Sequence, residues 1–301
     1  MYNQTGMRAA SWKLLFYHPL FIAGAVLALL FLLIALFGGR IMPQDPLKTD
    51  LSRILISPGR GCPLGTDNLG RCVLSRLIAG CRITLGAALV TETAIFSIGL
   101  CLGIVAGYFG GLLDRVLLVL IDTLLAFPSL ILALVIAGIL GQGLGNLIFA
   151  MSAVYWVEYA RLARSMTRTI REKTFVLAAI ASGSSSGGII LRHILPHVLP
   201  GMLVYATLGI SHIIIGISSL SFIGLGVRPP FPEWGAMITE ARDYMMERPL
   251  PLGATAGCII GSVACFQFLG EAFQDFLNPR QSHVGLFSLR KSGKAGIPGD
   301  P

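Results

Sequence analysis

Two ionisable side chains lie deep within long apolar runs, where a charge is costly and usually faces a cavity or a partner. Glu92 lies about nine residues into one run and His212 about ten into another, so at about 1.5 Å per helical residue each is on the order of 14 Å deep. The His212 imidazole could contact a passing transition-metal ion, or it could form a hydrogen bond between helices. Glu92 could pair with another subunit, which is the preferred interpretation, or contact a solute. Both residues are candidates for a pathway across a membrane.

The other reactive side chains form no recognisable catalytic or metal site. The six cysteines include no C-x-x-C spacing. Cys62, Cys72 and Cys81 precede the second apolar run, where an oxidising compartment would permit one disulfide. The sequence contains no G-x-x-x-x-G-K-[ST], no H-E-x-x-H and no convincing Ser/His/Asp grouping. We therefore expect no enzyme activity, no cofactor and no firm metal site, with His212 as a tentative contact only.

The elements that carry Glu92 and His212 are predicted to be membrane-spanning helices. Of 301 residues, 54% are hydrophobic and 13% are charged, whereas about a quarter of a soluble domain is charged. The net charge of +8 is spread between the apolar runs, as expected of topology signals, which argues against nucleic-acid binding. Six runs reach spanning length, at residues 20–37, 83–108, 116–140, 144–159, 202–225 and 252–273. Pro128 should kink the third run.

The basic residues predict the orientation of the chain. The first run is interpreted as a retained anchor, because "LFGGRIMPQDP" offers no small-x-small cleavage site. The loop at 161–199 is strongly basic and should be cytoplasmic, which with six spans places both termini inside. The loop at 41–82 is then external despite its own basic residues, since segments of this length translocate fairly readily.

The stretch "TFVLAAIASGSSSGGIILRHILP", residues 174–196, lies in the basic loop and does not have the pattern of a membrane span. Its first half predicts a short helix with an exposed apolar surface, Gly183, Gly187 and Gly188 predict a sharp turn, and a second short helix should end at Pro196. Such a helix suits a groove on another protein, or it could rest on the membrane surface. The candidate docking residues are Phe175, Ala178, Ala179, Gly183, Leu195 and Pro196.

The order Ala178-Ala179, Gly183 and Leu195-Pro196 resembles the "EAA" loop of ABC importer permeases, the cytoplasmic element that docks on an ATPase subunit. The stretches "PLGTDNLGRCVLSRLIAGCRITLG", "DRVLLVLIDTLLAFPSLILAL", "SFIGLGVRPPFPEWGAMITEARDYM" and "GEAFQDFLNPR" resemble the peptide/nickel permease family. Together they cover residues 63–280, and "SHIII" with "MITEARDYM" looks most like the nickel-permease C branch. The chain departs from the family's pattern at Leu177, usually Glu, and at Cys72, usually Asp. The first departure implies that a charged contact with the ATPase is absent or shifted.

This resemblance implies an all-α membrane protein with six transmembrane helices, the type I ABC permease fold and a cytoplasmic coupling loop. The expected organisation is an N-terminus and first helix at 1–40, an external loop at 41–82, a permease core at 83–278 containing the loop at 161–199, and a cytoplasmic tail at 279–301. The implied partners are a second homologous permease, two ATP-binding subunits, an external substrate-binding protein and the lipid bilayer, with no nucleic acid. The implied function is import of nickel or a nickel chelate across the bacterial inner membrane by alternating access, or else of dipeptides or oligopeptides. A passive channel is the rival class, but it does not account for the docking loop.

Overall fold

The computed structural model describes residues 17–277, which form helices joined by short connections and one long loop. The predicted tail at 279–301 and the first sixteen residues of the segment at 1–40 lie outside this range. The helices are α1 (Pro19–Ile41), α2 (Val73–Phe109), α3 (Gly111–Leu125), α4 (Ser129–Leu140), α5 (Leu144–Arg171), α6 (Thr174–Ala181), α7 (Ser186–Ile189), α8 (Leu195–Phe222), α9 (Trp234–Arg242) and α10 (Pro249–Leu277). A π-helical turn, Ile190–Ile194, joins α7 to α8.

Four helical segments of the described chain are long and apolar enough to cross a membrane, or five if α3 and α4 count as one span. The four are α1, α2, the continuous stretch Ser186–Phe222, and α10. The axes of α3 and α4 meet at 86° across Ala126 to Pro128, which confirms the predicted break at Pro128. The fourth predicted run belongs to α5, whose second half carries Glu158 and several arginines. Helix α5 is therefore not among the segments with the length and hydropathy of a membrane span.

Several helix ends differ from the sequence expectation for identifiable reasons. Helix α2 begins at Val73 rather than at residue 83, because Arg76 lies buried within its first turn instead of facing water. Helix α5 continues from the predicted end at residue 159 to Arg171, on the strength of its packing against α2. Helix α8 begins at Leu195, so Pro196 opens that helix instead of ending the one before. Proline has no backbone amide to donate, and here it follows the π-helical turn, where the regular i to i−4 pattern is already interrupted.

Three glycines of α2 allow it to pack closely against α5. Gly99, Gly103 and Gly107 recur every four residues, so they share one face of the helix. A Cβ atom at Gly103 would lie 2.5 Å from the Ala160 carbonyl oxygen, and one at Gly107 would lie 2.8 Å from the Arg164 carbonyl oxygen. Small residues at this spacing let membrane helices approach through their backbones. This contact fixes the register of α5, and with it the side chains that face α8.

Helices α1, α8 and α10 pack beside this pair. Gly24 of α1 lies against α10, where an added Cβ would be 2.9 Å from Leu269 and 3.1 Å from the Cys265 carbonyl oxygen. Most large side chains on the outer faces of α1, α3 and α4 are exposed, as expected of helices that face lipid.

Cys62, Cys72 and Cys81 are free thiols and buried.

Candidate functional site

Glu92 of α2 forms a buried pair with Tyr159 of α5. Only 4% of Glu92 is exposed. The Tyr159 hydroxyl donates a hydrogen bond to Glu92 Oε1, while Glu92 Oε2 is buried and has no hydrogen-bond partner within residues 17–277. Gly209 of α8 lies directly against the pair. A Cβ there would overlap the Tyr159 hydroxyl and lie 3.0 Å from both Glu92 carboxylate oxygens. Glycine is therefore required where α8 crosses this pair.

A cavity of about 330 Å³ opens beside the pair, between α2, α5 and α8. We call it the acidic cavity. Its lining combines carboxylates, phenols and an imidazole, and consists of Glu92, Tyr155, Glu158, Tyr159, Tyr205, Leu208, Gly209, His212 and Ile213. Tyr205 donates a hydrogen bond to Glu158 Oε2 at 3.0 Å, and its ring meets the Tyr159 ring edge to face with 4.8 Å between centroids. Glu92 also lines a second, apolar groove of about 530 Å³ beside α10.

The structure thus brings both sequence candidates, Glu92 and His212, to one cavity. His212 is exposed, and its Nδ1 lies 3.3 Å from the Leu208 carbonyl oxygen of its own helix. The hydrogen bond of His212 within this chain is therefore intrahelical, which leaves the outer edge of the ring accessible. Within residues 17–277, no group of three or more His, Cys, Asp and Glu side chains is arranged to hold a metal ion.

A buried ion-pair network at the start of α2 was not anticipated from the sequence. Arg71 and Arg76 are each 1% exposed. Their guanidinium groups bind Asp67 Oδ2 at 2.7 and 2.6 Å and Glu240 Oε2 of α9 at 2.7 and 3.0 Å. Because removing one partner of such a network leaves an uncompensated buried charge, the network holds α9 firmly against α2. The D-x3-R-x4-R spacing of "DNLGRCVLSR" was the available signal, but its partner Glu240 is distant in sequence.

Helix α9 is attached to α2 by a second set of contacts. Glu233 is fully buried and accepts hydrogen bonds from the Gly235 and Ala236 amides at 2.9 and 3.0 Å, so it caps the helix. Thr84 donates to the same carboxylate at 3.3 Å and accepts from the Trp234 amide at 3.1 Å. Burial raises the pKa of Glu233, while the two backbone amides oppose that rise. The stretch "PEWGAMITEAR" is thereby held rigidly at the end of the bundle opposite to residues 174–196.

We call residues 174–196 the hinged segment. It consists of α6, a turn, α7, the π-helical turn and the first two residues of α8. Val176 is fully buried, whereas 42% of Phe175, 53% of Leu177 and 41% of Ile180 are exposed. The Phe175 ring stacks on His197 of α8 with 5.0 Å between centroids. The predicted exposed apolar helix is therefore present, and its buried and stacked residues tie it to the end of α8.

The turn after α6 depends on one glycine instead of three. Gly183 has φ of +75°, and its amide donates to the Ile180 carbonyl oxygen at 3.0 Å. Gly187 and Gly188 lie within α7, whose first turn is capped by the Ser185 side chain. Of the other candidate residues, Ala178 and Pro196 are exposed and Ala179 and Leu195 are half-buried.

The hinged segment is joined to both helices that line the acidic cavity. Helix α5 carries Tyr155, Glu158 and Tyr159 and leads directly into α6. Helix α8, which carries Gly209 and His212, follows directly from the π-helical turn. Two helices therefore connect the hinged segment directly to the acidic cavity.

Comparison with known proteins agrees with this geometry. Residues 99–283 match the family described as binding-protein-dependent transport system inner membrane component, and residues 7–58 match the N-terminal transmembrane domain of oligopeptide transport permease C. The chain is 38% identical to the nickel transport system permease protein NikC of Escherichia coli (strain K12) over 254 residues, 84% of this chain and 92% of that protein.

Two other relatives have different stated solutes. The chain is 34% identical to the glutathione transport system permease protein GsiD of Pectobacterium atrosepticum over 89% of this chain and 90% of that protein. It is also 34% identical to the dipeptide transport system permease protein DppC of Alkalihalophilus pseudofirmus over 90% of this chain and 89% of that protein. These relatives are transport permeases and not enzymes. The family expected from the sequence motifs is confirmed: the chain belongs to the inner membrane permeases of binding-protein-dependent ABC importers, in the peptide/nickel group.

Proposed function

We propose that this chain is a transmembrane permease subunit that carries nickel or a nickel chelate into the bacterial cytoplasm by alternating access. Membership of the permease family implies ATPase and substrate-binding partners. The chain has no phosphate-binding loop, so ATP is hydrolysed on two separate subunits. A second homologous permease completes the pathway, and an external binding protein delivers the solute.

The observation that carries this proposal is the direct connection of the hinged segment to α5 and α8. The exposed side chains of Phe175, Leu177 and Ile180 would enter a groove on an ATPase subunit. Closure of the ATPase pair would then move the hinged segment and, through α5 and α8, change the access of the acidic cavity to either side. Since Leu177 carries no charge, this docking rests on apolar burial.

The proposed orientation places both termini and the loop at 161–199 in the cytoplasm, with six spans that include α5. The basic residues of this loop support it, since positive charge is retained inside. The ion-pair network and α9 then lie at the external end, where a binding protein would dock. Helix α5 would cross the membrane packed against α2 and α3, with Arg164 paired to Asp114 of α3. Arg161 and Arg168 are exposed and lie toward the end of α5 that leads into the basic loop.

Nickel is the preferred solute because His212 lines the cavity and NikC is among the relatives. A single imidazole is a weak transient ligand, which suits transport, since tight coordination would trap the ion. The second candidate is a dipeptide or oligopeptide, which the likeness to DppC favours at similar coverage.

Reconstitution tests the choice of solute. The complex of this chain with its partner permease, ATPases and binding protein is placed in proteoliposomes, and ATP hydrolysis is measured with nickel, a nickel–histidine chelate or a dipeptide. We expect stimulation by nickel or its chelate. Stimulation by the dipeptide alone would assign the peptide function instead, and no stimulation by any of them would contradict both.

A further inference from the structure

The acidic cavity contains two carboxyl groups and no basic side chain of residues 17–277 other than the His212 imidazole. Glu92 and Glu158 both line it, and no lysine or arginine does. A carboxylate inside a membrane protein is costly and is expected to have a partner. Acidic side chains alone do not make a site, so the argument depends on how each oxygen is used.

The second carboxylate oxygen of Glu92 is an independent sign of a missing ligand. Glu92 is 4% exposed, and its Oε2 has no hydrogen-bond donor within the described chain. An unpaired buried acceptor is destabilising, and such groups in native proteins usually mark a functional role or an unseen ligand. The oxygen lies against Gly209 of α8, where an added Cβ would be 3.0 Å away.

Two phenols add acceptors rather than donors to the same cavity. Tyr159 donates its hydroxyl hydrogen to Glu92 and Tyr205 donates its own to Glu158. Each phenol oxygen therefore offers only lone pairs to a ligand. The ring faces of Tyr155, Tyr159 and Tyr205 would also attract a cation through their π-systems. The oxygens and the rings thus favour the same kind of ligand.

We propose that the acidic cavity is a binding site for a compact cationic group of the transported solute, one that donates hydrogen bonds to Glu92 and Glu158. This inference rests on the proposed function and names the charge of the group that the pathway selects. Both a primary ammonium group, as at a peptide amino terminus, and a hydrated metal cation have the required chemistry. An anionic group would face two carboxylates without a counter-charge and is excluded from the cavity.

Charged thiol reagents test the charge preference without requiring transport. Leu208→Cys introduces a thiol into the cavity lining, in the full-length chain assembled with its partners in lipid nanodiscs. Ile215→Cys is the matched control, because Ile215 is on the same helix, is 48% exposed and does not line the acidic cavity. The modification rate at each position is followed by mass spectrometry with a trimethylammonium-ethyl and a sulfonatoethyl methanethiosulfonate. Both reagents react with the thiolate, so the ionised fraction of a cysteine cancels when the cationic rate at that position is divided by the anionic rate.

We expect the ratio of cationic to anionic rate at position 208 to exceed that at position 215 by about tenfold, which corresponds to about 1.4 kcal/mol. Glu158→Gln, which keeps the shape and removes one charge, should lower the ratio at 208 and leave it unchanged at 215. Ethylammonium chloride or nickel chloride is then added at millimolar concentration. Slower modification at position 208 in the presence of one of these salts shows whether an ammonium group or a metal cation binds in the cavity. Equal ratios at the two positions, or no slowing by either cation, would overturn the proposal. If the charge preference holds while the complex transports neither nickel nor a dipeptide, the proposed function fails alone.

Discussion

Gly209→Ala should destabilise the protein by forcing a methyl group into the Glu92–Tyr159 pair. The new Cβ would lie 3.0 Å from both Glu92 carboxylate oxygens and would overlap the Tyr159 hydroxyl. The pair cannot retreat easily, because Tyr159 is packed against Gly99 of α2 and both side chains are buried. Overpacking of this kind typically costs about 1–3 kcal/mol.

Gly86→Ala is the matched control for this substitution. Gly86 is also helical, in α2, and an added Cβ there would meet no heavy atom within 4 Å. Both alanines gain about 1 kcal/mol of helix propensity, so the difference between the two variants isolates the overpacking. We expect Gly86→Ala to unfold at or above the wild-type temperature and Gly209→Ala below it, by about 2–4 °C for each kcal/mol lost.

Thermal unfolding of the purified protein in detergent, followed by tryptophan fluorescence, supplies the measurement. A second variant separates the two partners of Gly209, because Tyr159→Phe removes the hydroxyl that the methyl group overlaps. In that background Gly209→Ala should cost less, with a coupling energy of about 0.5–3 kcal/mol. Equal unfolding temperatures for Gly209→Ala and Gly86→Ala, or no coupling to Tyr159→Phe, would refute the placement of α8 against this pair.

Three further predictions concern the hinge, the cap of α9 and the solute. Gly183→Pro should abolish coupled transport, because proline cannot adopt the φ of +75° and lacks the amide that binds the Ile180 carbonyl oxygen. Gly183→Asn should retain most of the transport activity, since asparagine tolerates a positive φ. Equal uptake by both variants in proteoliposomes would contradict the hinge. Glu233→Ala should lower stability by about 0.5–2 kcal/mol through loss of the cap, and should therefore unfold at a lower temperature than Glu247→Ala, which changes an exposed acid. An unchanged unfolding temperature for Glu233→Ala would refute the cap. His212→Leu should reduce nickel uptake while assembly and basal ATP hydrolysis persist. Loss of assembly would indicate that His212 bonds to the partner permease. Impaired dipeptide uptake with normal nickel uptake would show that the solute is a peptide.

The apolar pattern predicted most of the helices, but it did not predict how far their charged ends extend. Arg76 looks like a loop residue in the sequence, yet it is helical and buried because Asp67 and Glu240 neutralise it. The arginines of α5 likewise concealed the length of that helix. Arg161 and Arg168 are exposed, and Arg164 is paired with Asp114 of α3, which is distant in sequence. Local hydropathy cannot report a charge whose partner lies far along the chain.

The sequence predicted only part of the candidate site, because contacts between distant helices determine the rest. Glu92 and His212 could be identified individually, because an ionisable residue in an apolar run is unusual. That they line one cavity with Tyr159 and Tyr205 depends on the register of α2, α5 and α8, which the glycines of α2 and Gly209 determine. The spacing of Gly99, Gly103 and Gly107 was the available signal for the first of these contacts. The turn at Gly183 was predicted correctly, since a positive φ favours glycine, but the adjacent Gly187 and Gly188 have no such role.

Uptake of radiolabelled nickel into proteoliposomes tests most directly the claim that this chain is the permease subunit of an ATP-driven importer. Vesicles with the chain alone are compared with vesicles that also hold the partner permease, the ATPases and the binding protein, each with and without ATP. The account predicts accumulation only in the complete system with ATP, with no ATP hydrolysis by the chain alone. Nickel entry through the chain alone without ATP would indicate a channel and would contradict the account, as would ATP hydrolysis by the isolated chain.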